Sequence, residues 1–254
     1  MKGRQAPGWR AVALALLPLA AAAESPSGAP EDWPSPVHGA ALAYLVEVDQ
    51  LEYAFFDGDD AVRWEASSWL GGDVYKLWLE SSGAWGTAEP DTGEVEIQAL
   101  LGRTLSAYAD LRVGVRQEFF TAPGPDRERT SAQIDLAWLA PLWFEVAPAL
   151  LVSDRGDVEA EVTVVQELLL TRRLVLQPRF EIGASAQRIR ELGLEAGPTD
   201  LELGLRLRYE IVPELAPYVG VHWERALGPT AIVTRRRGTD RSALAAVVGL
   251  RFWY

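Results

Sequence analysis

The chain contains no cysteine. That excludes disulfides, thiolate catalysis, cysteine-ligated zinc, iron–sulfur chemistry and anchoring through a lipidated N-terminal cysteine. Methionine occurs once, as Met1, and histidine twice, as His38 and His222. Lysine is nearly absent, Lys2 and Lys76 being the only two among 24 basic residues. After residue 23 no run approaches 18 consecutive apolar residues, so no stretch predicts a membrane-spanning helix. Positive charge is also in deficit, at 24 Lys and Arg against 36 Asp and Glu, a formal charge of −12. Nucleic acid is therefore not expected as a partner, because phosphate binding needs clustered bases.

The N-terminus reads as an export signal. Lys2, Arg4 and Arg10 form a basic region, Ala11 to Leu19 an apolar stretch, and Ala21-Ala22-Ala23 a small-residue cleavage site. A mitochondrial transit peptide is the alternative, and the compact apolar segment disfavours it. Cleavage after residue 23 removes those three bases and no acid, taking the formal charge from −12 to −15. Residues 24–41 are rich in Pro and Ser, as expected of a short periplasmic leader.

From residue 42 to 254 the chain alternates apolar and polar residues with a period of two, in about a dozen segments of roughly ten residues. In DLELGLRLRYEI (200–211), Leu201, Leu203, Leu205, Leu207 and Tyr209 oppose Glu202, Arg206, Arg208 and Glu210. The connections alternate as well. Gly71-Gly72-Asp73, Ala140-Pro141-Leu142 and Thr171-Arg172 are tight, whereas 82–92, 120–130, 184–199 and 226–242 are long and polar. An all-β, antiparallel, up-and-down transmembrane β-barrel of about 12 strands fits this pattern, in a bacterial outer membrane with lipid as its surroundings. A secreted β-barrel or sandwich is the alternative. Aromatic residues near segment ends favour the membrane, Trp69, Tyr75, Tyr108, Trp138, Trp143, Tyr218, Trp223, Trp253 and Tyr254 reading as headgroup-level girdles. The closing strand, with Leu250, Phe252 and Tyr254 on one face, resembles the C-terminal signal read by barrel insertion machinery.

The polar faces carry sixteen acids and eight bases. An Arg or Lys facing lipid costs about 2–4 kcal/mol at the bilayer midplane, so these faces must line the lumen. The acidic lining includes Glu94, Glu96, Glu118, Glu145, Glu159, Glu161, Glu181, Glu202 and Glu210; the basic lining includes Arg112, Arg116, Arg179, Arg206, Arg208 and Arg251. Two readings follow. The acid excess would favour cations over anions. Alternatively, Glu–Arg pairs fill and stiffen a barrel narrower than a porin of 16–18 strands, with cation preference as a by-product.

His222 and Glu224 share one strand face, an arrangement with two of the donors a metal would need. A hydrogen-bonded lumen histidine is the plainer reading. His38 lies in the leader, as a loose metal contact or none. Enzymatic activity is not expected: no Gly-x-Ser-x-Gly elbow occurs, and alternating pairs such as Glu94/Glu96 arise on any lumen-facing strand.

The runs YKLWLESSG (75–83), EVEIQALLGR (94–103), WFEVAPALLVSDRG (143–156), ELLLTRRLVLQPRFE (167–181), TDLELGLRLRYEIVPELAPYVGVHWER (199–225) and GLRFWY (249–254) resemble the outer-membrane copper resistance protein B family. The resemblance implies a role in copper tolerance at the outer membrane, alongside a periplasmic multicopper oxidase. Members often carry a long Met- and His-rich leader. Here the leader is short, with one His and no Met, so thioether and thiolate ligands for Cu(I) are lacking. What remains is weak Cu(II) contact through His38, His222, Glu224 and lumen carboxylates, and no tightly bound cofactor is expected.

Overall fold

The computed structural model describes residues 42–57, 60–87, 92–121, 127–236 and 240–254. The signal peptide and the leader with His38 lie outside these. Twelve antiparallel strands run β1 (Ala43–Phe56), β2 (Ala61–Gly71), β3 (Tyr75–Gly86), β4 (Gly93–Ser106), β5 (Ala109–Thr121), β6 (Arg127–Ala140), β7 (Phe144–Ser153), β8 (Val158–Gln166), β9 (Leu174–Ser185), β10 (Gly197–Tyr209), β11 (Leu215–Ala226) and β12 (Ser242–Trp253). After Glu167 a short extension of β8, Leu168–Leu169, still pairs with β9. Each strand pairs with the next in sequence, and β12 pairs back with β1. The sheet therefore closes and presents no unpaired edge.

Closure reaches the last residue. The amide of Val46 donates to the carbonyl of Tyr254 at 2.9 Å, and the amide of Tyr254 donates to Val46 at 2.8 Å. Phe252 and Leu250 stand opposite Val48 and Leu51 across this seam. The terminal aromatic segment is thus part of the ladder that seals the barrel.

The two ends differ as the alternation of turns requires. At the end holding the chain terminus, the connections are residues 72–74, 107–108, 141–143, 170–173 and 210–214. At the other end β1 is followed by β2, β3 by β4 and β5 by β6; residues 154–157 and 186–196 join β7 to β8 and β9 to β10, and a short helix, α1 (Thr230–Arg236), comes between β11 and β12. No helix among the described residues is long and apolar enough to cross a membrane; the crossing is made by strands.

The distribution of side chains is inverted relative to a water-soluble protein. Among the largest fully buried side chains are Arg206 and Arg208, whereas Leu101, Val113 and Val219 are each more than half exposed. Hydrocarbon around the barrel accounts for both facts: apolar side chains face the lipid, and ionised ones face one another inside.

One departure from strict alternation and two from the expected aromatic girdles stand out. Asp49 is an inserted residue: the register of β1 shifts between Val48 and Gln50 against β2, a β-bulge. Gln50, Glu52 and Ala54 consequently turn inward and are buried, so Glu52, which alternation from Glu47 and Asp49 points at lipid, is a lumen residue. Tyr218 is 4 % exposed and belongs to the lumen, not to an aromatic girdle. Trp69 likewise faces the interior, its ring 6.1 Å from that of Trp78 and under the ammonium of Lys76 at 5.6 Å. Tyr75, Tyr108, Trp138 and Trp143 are exposed, as girdle residues should be.

Leu203 lies mid-strand on the lipid face of β10. Leu203→Arg should lower unfolding free energy in lipid vesicles by about 2–4 kcal/mol, read by urea titration of tryptophan fluorescence. A substitution with no effect would place that face in water.

Candidate functional site: the charged lumen

The barrel encloses one large cavity of about 1390 Å³. Among the described residues, nineteen Asp and Glu line it against eight Lys and Arg. Glu94, Glu96, Glu118, Glu145, Glu159, Glu161, Glu181, Glu202 and Glu224 are in this lining, as are Arg112, Arg116, Arg179, Arg206, Arg251 and His222. Glu210 lies just beyond β10, 3.6 Å from Arg208, and neither reaches the cavity.

At the terminus end, Arg251 donates from Nε to Asp49 at 2.9 Å and also pairs with Glu47. Arg208 contacts Glu167 at 2.8 Å, and Lys76 contacts Asp110 at 2.7 Å. At mid-height, Arg206 forms a bidentate pair with Glu52 at 2.8 and 2.9 Å and donates to Gln50 at 2.7 Å. The hydroxyl of Tyr218 donates to the same Glu52 carboxylate at 3.0 Å. Gly249 makes that bond sterically feasible, because a Cβ there would lie 2.5 Å from the Tyr218 hydroxyl oxygen. Arg112 bridges Glu80 and Asp135, both at 2.5 Å, with its guanidinium 5.2 Å from the Trp78 ring centre. Arg116 bridges Glu161 at 2.8 Å and Glu96 at 3.2 Å and donates from Nε to Gln133 Oε1 at 2.9 Å. Arg179 joins Glu65 at 2.7 Å to Glu181 at 3.0 Å. Towards the loop end, Arg129 pairs with Glu159 and lies 3.6 Å from Glu118.

Arg112, Arg116, Arg129 and Arg179 each offer a planar fork to two carboxylates on different strands, an arrangement a lysine cannot reproduce. Two members of this network escape reading by alternation. Glu52 is displaced by the bulge. Arg129 sits in a run, Arg127-Glu128-Arg129-Thr130, with no apolar residue to reveal which face is which.

His222 is buried, with Nε2 at 3.4 Å from Glu224 and 3.7 Å from Glu202. Arg63 occupies the same carboxylates, at 3.3 Å from Glu202 and 3.8 Å from Glu224. The donors a metal would use therefore already share a guanidinium. No group of three or more His, Asp or Glu with metal-binding geometry exists among the described residues. The mouth at the loop end is partly covered by residues 186–196, whose Glu191, Leu192 and Leu194 line the cavity. Arg127 and Arg155 both contact Glu191, and the amide of Glu195 donates to the hydroxyl oxygen of Thr230 in α1 at 3.0 Å.

A sealed barrel with an ionic interior narrows identity to outer-membrane proteins, and relatives resolve it further. The family model described as "Copper resistance protein B precursor (CopB)" matches residues 42–254, the whole barrel. The chain belongs to the copper resistance protein B family. It is 37 % identical over 218 residues to copper resistance protein B of Escherichia coli, spanning 86 % of this chain and 72 % of that one. Its identity to a copper resistance protein B homolog of Pseudomonas syringae pv. tomato is 36 % over the same length and shares. Among solved structures, the fold is like the NanC porin (TM-score 0.53, 14 % identity, 82 % of this chain and 98 % of that one) and the KdgM porin (TM-score 0.50, 12 % identity, the same shares). This member of the family is accordingly an outer-membrane β-barrel.

Glu52 carries three donors and is the most heavily used carboxylate in the lumen. Glu52→Ala should leave Arg206 buried without its partner and destabilise the barrel by about 3–5 kcal/mol. Gly249→Ala should cost less, by forcing Tyr218 off Glu52. Both are measured by equilibrium unfolding in detergent micelles. Wild-type stability in Glu52→Ala would show that the network does not hold the barrel together.

Proposed function

We propose that this family member contributes to copper tolerance by binding, passing or excluding copper ions at the outer membrane, with its acidic lumen lowering the energy of a cation inside. The observation that carries the reading is the charge of the cavity wall, nineteen carboxylates against eight bases, in a barrel of this family. Rings of carboxylate in a low-dielectric wall raise the local concentration of cations and repel anions. Glu94 and Glu145 line the lumen without an ion-pair partner among the described residues, so part of the negative potential is uncompensated.

The ligand chemistry supports only weak, oxygen- and imidazole-based contact suited to Cu(II), at His222 with Glu224 and at lumen carboxylates. No thioether or thiolate remains after residue 1, which argues against tight Cu(I) capture by this chain alone. Passing the ion to a periplasmic multicopper oxidase would place the oxidation chemistry on that partner and leave this barrel non-enzymatic. The arginine network favours a second reading, a largely closed structural barrel in which cation preference is incidental: Arg179, Arg116 and Arg63 each reach carboxylates on other walls.

Two measurements separate these readings. In planar bilayers under a KCl gradient, the reversal potential should shift towards the potassium equilibrium potential; anion preference or silence would end the passage reading. Cu(II) titration of the folded barrel, followed by electron paramagnetic resonance, should show weak binding with nitrogen coupling that disappears in His222→Ala. Identical spectra from both proteins would remove His222 as a contact.

A further inference from the structure

The strand order puts β9 five steps from β2 in a ring of twelve, one step short of diametrically opposite. Yet Arg179 of β9 donates from Nη1 to Glu65 of β2 at 2.7 Å, while its Nη2 donates to Glu181 at 3.0 Å. Two residues along β2, the polarity is reversed: Arg63 reaches back across the lumen to Glu202 of β10 at 3.3 Å and to Glu224 of β11 at 3.8 Å. Ion pairs of opposite sense therefore tie β2 to the stretch of wall formed by β9, β10 and β11.

The local sequence makes room for this crossing. Gly204 of β10 is paired with both Arg179 of β9 and His222 of β11. A Cβ at Gly204 would lie 2.5 Å from Arg206 Nη1 and 3.4 Å from Arg179 Cβ. The missing side chain lets two arginines share one level of the lumen. Gln50 also donates to Glu65, at 3.0 Å, fixing the carboxylate that receives Arg179.

We propose that the crossed pairs Arg179–Glu65 and Arg63–Glu202/Glu224 are the residues that set ion passage through this barrel, forming a septum in which tethered guanidinium groups occupy the positions a permeating cation would take. A free cation entering the acidic lumen meets at this level carboxylates that already hold Arg63 and Arg179 as tethered counter-ions. It advances only by displacing one of them. Conductance is then limited by these two arginines and not by barrel diameter. The septum gives a mechanism to the cation-passage reading and rests on it, but not on the ion being copper.

The test uses the refolded full-length mature barrel in planar bilayers in KCl without copper. Folding of each variant is checked first by heat-modifiable migration in gels. Arg179→Ala and Glu65→Gln should each raise single-channel conductance several-fold over wild type. Arg179→Lys, which keeps the charge but cannot hold Glu65 and Glu181 in one fork, should give an intermediate rise and serves if the alanine variant does not fold. The charge-swapped double variant Glu65→Arg with Arg179→Glu should return conductance to within about twofold of wild type. Wild-type conductance in the folded single variants, or a double variant as conductive as the singles, would overturn the septum. Because copper is absent, failure of copper binding or uptake leaves this outcome unchanged and removes only the copper reading.

Discussion

Hydrocarbon offers no hydrogen-bond partner to a peptide group and no solvation to an ion. Every other feature of this barrel follows from that constraint. The sheet must close, so the last residue, Tyr254, exchanges both of its backbone bonds with Val46. Closure with twelve strands fixes a lumen narrow enough for an arginine on one wall to touch a carboxylate on the other. The same constraint sorts the side chains, sending Leu203 and Val219 to the lipid and Arg206 and Glu52 to the interior.

Once the ions are inside, their pairing decides how the walls of the barrel are held to one another. Arg206, held by Glu52 and Gln50 and flanked by Tyr218, acts as a core in the structural sense, although the groups that bind its guanidinium are polar. An apolar filling would give comparable packing without the penalty of desolvating charges. Retaining ions here is reasonable for a wall that remains in contact with water and cations. The acid excess and the arginine network are thus complementary: the first sets the sign of ions the lumen tolerates, the second sets how much of the acid charge remains available to them.

Membership of the copper resistance protein B family directs attention to copper, yet the donor inventory is narrow. Oxygen donors are plentiful, imidazole is scarce, and sulfur is absent after Met1. His222, the one imidazole within the barrel, shares Glu202 and Glu224 with Arg63. A cation approaching that point competes with a guanidinium as well as with water. Any copper contact here is therefore set by displacement equilibria, in contrast to a preformed coordination sphere with fixed ligands and geometry.

The period-two alternation, the alternating turn lengths and the closing aromatic strand were sufficient to specify a twelve-strand outer-membrane barrel, because each follows from local backbone geometry and from the sign of side-chain transfer to lipid. The same alternation placed Arg112, Arg116, Arg179 and Arg206 on the lumen side. It failed at Glu52, because a one-residue bulge at Asp49 reverses every later face of β1, and bulges leave no mark on hydropathy. It left Arg129 unplaced, where neighbouring charges erase the pattern; Tyr218 follows Gly220, His222 and Glu224 into the lumen, and only its aromatic ring near a strand end suggested a girdle. Which arginine meets which carboxylate was decided by the tertiary structure alone: Arg179 and Glu65 are 114 residues apart and become partners only when ring closure brings their strands face to face across the lumen.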